Sequence, residues 1–221
     1  MQGLRVPPRV AFFDVDETLL AAKSMIEFLR YWLGRDEQAF RGAVAELGAL
    51  AQREGRAAAN RAYYRLFAGV PSATLAEAGG RWYAQHRQRP DAFVDSSAAA
   101  LAEHRAAGDL VVLVSGSCRA VLDPLAADVG GDEVLCTELV VGGDGRLTGE
   151  VARSMIGPAK ADTAARLLED LGVSPADCFA YGDHASDLDL LTAVGSPRVV
   201  GDDPVLASWA RRHGWPVLPA R

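Results

Sequence analysis

The chain has 221 residues, 49% hydrophobic and 24% charged, with a formal net charge of −6. That is enough apolar material for a sizeable core with one insertion, and too much for a disordered segment. The negative balance and the scattered arginines argue against a nucleic-acid footprint, and no apolar run reaches membrane-spanning length.

Residues 1–9 form a polar, proline-containing lead-in. Val10-Ala11-Phe12-Phe13 is then an apolar run with no helical period, which predicts a strand buried on both faces, as in a parallel α/β sheet. It stops abruptly at Asp14-Val15-Asp16-Glu17-Thr18. Extended side chains alternate with period two, so Asp14 and Asp16 project the same way. Two neighbouring carboxylates repel unless a cation or a shared proton relieves them. The cation that suits them is Mg²⁺, a hard ion that takes carboxylate and backbone oxygens and keeps waters for a phosphate.

After Leu20 the pattern turns helical. Ser24 and Glu27 read as a capping box opening a helix with Met25, Ile26, Leu29, Trp32 and Leu33 on its apolar face. Asp36 caps a second helix, with Phe40, Val44, Leu47 and Ala51 at steps of three or four. A third spans about 57–67 and a fourth 72–87, with Pro71 and Pro90 marking breaks. This all-helical block, residues 21–90, interrupts an α/β pattern formed by residues 1–20 and 91–221, and reads as an inserted cap domain.

From Ala92 helix and strand alternate, the signature of parallel βαβ units and a Rossmann-like sheet. A helix is expected at 94–107, a strand at 110–114, a helix at 117–128 disturbed by Pro124, and a strand at 133–141. Gly142-Gly143-Asp144-Gly145 is a tight-turn signal that folds 146–151 back as a short β extension. Pro158 opens a helix that Gly172 ends. A strand follows at Cys178-Phe179-Ala180-Tyr181, then a short strand at 198–200, a helix from Pro204 to His213 and a last strand at 215–218. Two of these strands stop as the first does. One ends at Ser115-Gly116-Ser117, the other at Gly182-Asp183-His184-Ala185-Ser186-Asp187. Ligands of open α/β sheets bind beyond the carboxyl ends of strands, so acids, a hydroxyl and glycines converge on one rim.

Two compositional details add to this. Of 23 basic residues only Lys23 and Lys160 are lysine; a compact ammonium on a flexible stem suits a phosphoryl oxygen or a carboxylate in a tight site. The three cysteines, Cys118, Cys136 and Cys178, lack metal-type spacing and read as buried free thiols, with Cys118 close enough to the Ser115 loop to invite labelling.

Asp14-Val15-Asp16-Glu17-Thr18, Ser115 after its strand, Lys160 opening a later helix and Gly182-Asp183-His184-Ala185-Ser186-Asp187 together resemble the four ordered motifs of the haloacid dehalogenase superfamily. The insertion point resembles the type I cap of its phosphoserine phosphatase-like branch. That resemblance implies a Mg²⁺-dependent phosphatase acting on a small-molecule phosphate monoester. Asp14 would be the nucleophile that becomes an aspartyl phosphate, and Asp16 the general acid and then base. The metal group would comprise Asp14, Asp16 through its backbone carbonyl, and Asp183, with Asp187 orienting bound waters. Ser115, the Gly116 amide and Lys160 would hold the phosphoryl oxygens, and Thr18 would brace the first loop. Glu17 is expected to face solvent or the cap, His184 to be structural or to meet the leaving group, and Asp189 to be structural.

Phosphoserine phosphatases carry an acid at about the place of Lys23. Lys23 would repel an ammonium, which predicts an anionic or hydroxyl-rich substrate, with Arg61, Arg65, Tyr63 and Tyr64 as further contacts. Two alternatives stay open: a phosphotransferase or phosphonate-type enzyme on the same scaffold, and a receiver-like phospho-accepting module. Receivers, however, are shorter and lack a helical insertion after the first strand. No nucleic-acid or membrane partner is expected, and the assembly is expected to be a monomer or homodimer. The amino terminus shows no apolar signal core, which points to the cytoplasm.

Overall fold

The computed structural model describes residues 9–220; the lead-in expected before Arg9 lies outside them. Among the described residues eight strands form: β1 (Val10–Asp14), β2 (Leu110–Ser115), β3 (Glu133–Cys136), β4 (Glu138–Val141), β5 (Leu147–Arg153), β6 (Phe179–Gly182), β7 (Ser196–Val200) and β8 (Val217–Leu218). Six form a wholly parallel sheet in the order β3-β2-β1-β6-β7-β8, with β1 at its centre. The α/β, Rossmann-like class expected from the alternating pattern is the one observed.

The apolar run of β1 is buried on both faces because its side chains alternate between two cores. Ala11 and Phe13 join one cluster with Val111 and Leu113 of β2. Val10 and Phe12 join the other with Val112 and Val114. The second cluster is closed by α7 (Pro158–Leu171), α8 (Leu188–Thr192) and α9 (Pro204–His213). The first is closed by α5 (Asp95–Ala107) and α6 (Arg119–Val129), and it runs on without a break into the helical block.

That block contains α1 (Ser24–Leu33), α2 (Glu37–Glu54), α3 (Arg56–Arg65) and α4 (Ser72–His86), close to the expected spans. Its two connections to the sheet run side by side: Ala21 N donates to Ala92 O at 3.1 Å and Val94 N to Leu19 O at 3.0 Å. Phe28, Phe40, Tyr63, Phe67 and Trp82 of the block share one apolar cluster with Phe13, Leu113 and Leu122. The four helices therefore cannot shed the sheet without exposing aromatic surface.

Two local expectations fail for identifiable reasons. The single strand expected at 133–141 is two strands in two sheets. Thr137 breaks it, its N–H donating to Ser117 O at 2.9 Å, and β4 turns away to pair antiparallel with β5. Ser24 does not cap α1: its side chain is buried and bonds Ser117 Oγ, while Lys23 occupies the N-cap position with no side-chain bond. Asp36 caps α2 as expected, accepting from Ala39 N at 2.9 Å. No helix among the described residues is long and apolar enough to cross a membrane.

Gly79 sits where α4 crosses α6, and a Cβ there would collide with the Ala120 backbone carbonyl. Alanine ordinarily gains about 1 kcal/mol over glycine inside a helix. Here the overlap is with backbone, which cannot swing aside, so Gly79→Ala is expected to lose about 1–3 kcal/mol and lower the urea midpoint.

Candidate active site

The carboxyl ends of the three central strands deliver the residues that the sequence singled out. Asp14 ends β1, Ser115 ends β2 in the adjacent strand, and Asp183 follows β6 on the other side. Behind β6 the chain folds back on itself. Gly182 allows this, since a Cβ there would lie 2.7 Å from Asp187 Cβ. A single 3-10 turn, Ala185–Asp187, follows. His184 Nδ1 accepts from Ser186 N at 3.0 Å, and Asp187 Oδ2 accepts from His184 N at 3.2 Å, so His184 shapes this turn while also lining the cavity.

Lys160 arrives from the first turn of α7. Gly157, at φ 60° before the helix, supplies a left-handed conformation that a side chain would strain, and Pro158 sets the first helical φ. Lys160 is 4% exposed, and its ammonium donates to Asp14 Oδ1 and to Asp187 Oδ1, the latter at 2.6 Å. Thr18 Oγ1 donates to Asp183 Oδ1 at 3.0 Å, bracing the first loop against the β6 loop.

Asp14, Asp183 and Asp187 each place a carboxylate oxygen within 4.8 Å of the other two. Burial pushes the Asp14 carboxyl well above the ordinary carboxylate range, and Asp187, Asp183 and Asp16 push it further against the opposing pull of Lys160. Burial and the neighbouring Asp187 push Asp183 up to about 6. Burial would strip Lys160 of its proton, yet Asp14 and Asp187 outweigh it and hold the ammonium charged. Three carboxylates gathered around one ammonium leave more acid than base in a largely buried space. Such a cluster is unfavourable alone and suits one divalent ion with oxygen ligands. The donor set fits Mg²⁺.

Asp16 does not join this cluster through its side chain. Its Oδ1 accepts from Ser24 N, the first residue of α1, at 2.8 Å. Burial raises its pKa against the lowering effect of the Ser24 bonds. Glu17 is exposed, as expected, and holds φ 61°, a left-handed backbone uncommon for a residue with a side chain. Its carboxylate lies 3.2 Å from the Lys23 ammonium.

Ser115 Oγ accepts from Ser117 N at 3.0 Å, which leaves the hydroxyl proton to donate elsewhere. The Gly116 carbonyl is held by two donors from α3: Asn60 Nδ2 at 2.8 Å and Tyr64 Oη at 3.0 Å. Asn60 Oδ1 in turn accepts from Ser154 Oγ at 2.7 Å and Thr137 Oγ1 at 3.3 Å.

A cavity of about 530 Å³ opens from Asp14, Lys160, Asp183 and Asp187 towards the helical block, reaching Lys23, Arg56 and Asn60. Arg56 Nη1 lies 2.7 Å from His184 Nδ1 and 3.3 Å from Ser186 Oγ. Arg56 and Asn60 were not anticipated. They carry no spacing signal of their own, and a polar residue on a short helix normally reads as solvated. Of the four α3 residues that were anticipated, Tyr63 lines the cavity and donates to Met25 O, and Tyr64 holds Gly116 from outside it. Arg61 and Arg65 are exposed and do not line it. All three cysteines are free and buried, and burial pushes the Cys118 thiol up, against the reactivity suspected for it.

Comparison with known proteins bears on the whole chain. Residues 11–192 match the haloacid dehalogenase-like hydrolase family model. The chain is 33% identical over 220 residues to the inhibition of morphological differentiation protein of Streptomyces azureus, covering 96% of this chain and 79% of that protein. It is 30% identical over 232 residues to the phosphoserine phosphatase SerB1 of Mycobacterium tuberculosis, covering 98% and 74%. A protein of unknown function from Bordetella pertussis Tohama I superposes with a TM-score of 0.85 at 26% identity, covering 98% of this chain and 100% of that one. A substrate-bound phosphoserine phosphatase shares the fold, with a TM-score of 0.69 at 21% identity over 97% and 94%.

The raised Asp183 pKa has a measurable consequence in metal-free protein. A folded pKa above the ordinary 3.8 means that the native state binds the extra proton, so this contribution is present below about pH 4 and is lost as pH rises through about 6. Asp183→Asn keeps an oxygen for Thr18 and removes the charge. In chelator, its stability relative to the parent protein is expected to rise between pH 4 and 7, as read by urea unfolding at each pH.

Proposed function

The chain belongs to the haloacid dehalogenase-like hydrolase family, and from that premise we propose that it is a Mg²⁺-dependent phosphatase. It hydrolyses a small-molecule phosphate monoester through an aspartyl phosphate on Asp14. The observation that carries this reading is the convergence of Asp14, Asp183, Asp187 and Lys160 in one cluster at the strand ends, all but Asp183 buried.

Asp14, Asp183 and Asp187 would hold the ion. Bound there, Mg²⁺ supplies positive charge against the phosphoryl oxygens and the acids. In the first step an Asp14 carboxylate oxygen attacks phosphorus, the P–O ester bond breaks, and the departing alkoxide takes a proton from Asp16. In the second, Asp16 as carboxylate removes a proton from water. The water oxygen attacks phosphorus, releasing phosphate and restoring the Asp14 carboxylate. Burial suits Asp16 to the acid role, because its raised pKa keeps a proton available closer to neutral pH. The bond from Ser24 N holds that carboxyl beside the first loop.

Lys160 offsets charge on the transferring group and restrains Asp14, while the Ser115 hydroxyl and the Gly116 amide donate to the equatorial oxygens. The α3 bonds to the Gly116 carbonyl fix the orientation of that loop. We assign residues 21–90 the role of a cap that covers the site and limits water.

Phosphate release from a panel of phosphorylated metabolites tests this reading. Activity is expected to vanish in chelator and return with Mg²⁺, and Asp14→Asn is expected to lose at least about 10³-fold in kcat. Hydrolysis undiminished by that substitution would rule out the covalent route. Asp16→Asn is expected to lower kcat/KM for alkyl phosphates by about 10²–10⁴-fold and for acetyl phosphate far less, since a good leaving group needs little proton donation, while kcat falls for both because hydrolysis of the aspartyl phosphate still lacks its base.

A further inference from the structure

We infer that the preferred substrate is a monophosphate whose alcohol is largely apolar, a chain or ring lying along α2, and not a compact zwitterion. This rests on the phosphatase reading above and specifies its substrate class.

The cavity is about 530 Å³, far more than a phosphoryl group fills, and its lining is of two chemical kinds. The acids Asp14, Asp16, Asp183 and Asp187 and the Lys160 ammonium sit at the strand ends. An apolar wall is built from Met25 and Ile26 of α1 and Val44, Leu47 and Ala51 of α2, with Ile156 packed close to Gly116, all of them only half-buried. Apolar side chains left partly uncovered around a concave surface are the usual lining of a site for an apolar group. An anionic alcohol or one rich in hydroxyls, the two classes that Lys23 suggested, would lose its hydration or its hydrogen bonds against this wall.

Charge points the same way. Among the described residues, Glu17 is the only carboxylate besides the strand-end acids that lines the cavity, and Lys23 lies 3.2 Å from it. Arg56 is engaged with His184 and Ser186. An ammonium on the leaving group would find no free carboxylate near the apolar wall.

Gly48 is the third observation. It lies in the interior of α2, where glycine weakens a helix, and a Cβ built on it meets no atom within 4 Å. Packing of α2 therefore does not require glycine at this position. Gly48 does line the cavity, so a side chain there would occupy the space beside Val44, Leu47 and Ala51.

The test uses the full chain with Mg²⁺ and straight-chain alkyl monophosphates from ethyl to octyl. Their alcohols leave with nearly equal ease, so rate differences report binding of the chain. Phosphoserine serves as the compact zwitterion and acetyl phosphate as a size-independent reporter of the Asp14 machinery. We expect kcat/KM to rise about fourfold per methylene over the first several carbons, with phosphoserine below hexyl phosphate. Gly48→Phe, with a thermal midpoint at or above that of the parent protein, is expected to lower the hexyl-to-ethyl ratio at least about tenfold. A flat or falling series, or an unchanged ratio in folded Gly48→Phe, overturns the inference; acetyl phosphate hydrolysis that still needs Asp14 then leaves the phosphatase reading intact. Failure to hydrolyse acetyl phosphate and every ester overturns both.

Discussion

The fold places a buried ammonium between buried carboxylates, and the rest of the site depends on that contact. Lys160 reaches Asp14 and Asp187 from a helix on the far side of the sheet, and each partner is nearly inaccessible to water. Burying any one of these charges alone would cost several kcal/mol. Together they are tolerable only while the end of β1, the first turn of α7 and the loop after β6 keep their relative positions. The glycines at 157 and 182 follow from this, one turning the chain into α7 and the other admitting the Asp187 side chain against the strand.

A second constraint ties the helical block to that rim. The Gly116 carbonyl accepts from Asn60 and Tyr64, Asp16 accepts from the first amide of α1, and Ser24 meets Ser117. Each bond links a strand-end loop to the helical block, and three of the four join residues more than fifty apart in sequence. Beneath them one apolar cluster continues from the sheet into the block. The loops that would grip a phosphoryl group are therefore shaped from both sides, and a change in α3 reaches the Ser115 loop through two hydrogen bonds.

The cavity between these parts divides its work by distance from the strand ends. Near them the surroundings are charged and paired, a setting in which fixed dipoles and ions act strongly because little water competes. Farther out α1 and α2 present aliphatic side chains, which contribute by excluding water and are indifferent to hydroxyl patterns. In the proposed reaction the first region performs phosphoryl transfer and the second selects the alcohol.

The sequence by itself determined most of the strands, the parallel class of the sheet and the rim where three of them end. A run such as Val10–Phe13 can be buried on both faces only inside a covered sheet, and acids at its end have no packing reason to be there. Lys160 was marked by lysine scarcity, and Asp14, Asp183 and Ser115 by strand ends. Only the tertiary structure decided the rest. The break at Thr137 is made by a bond to Ser117, and Ser24 forgoes its cap to meet the same residue, choices that no local pattern records. Arg56 and Asn60 became site residues because α3 packs against loops that lie more than fifty residues away in the chain. Hydrophobic period and turn chemistry are local and survive in the linear text, whereas the partner of a lone polar side chain is set by which surfaces the folded chain brings together.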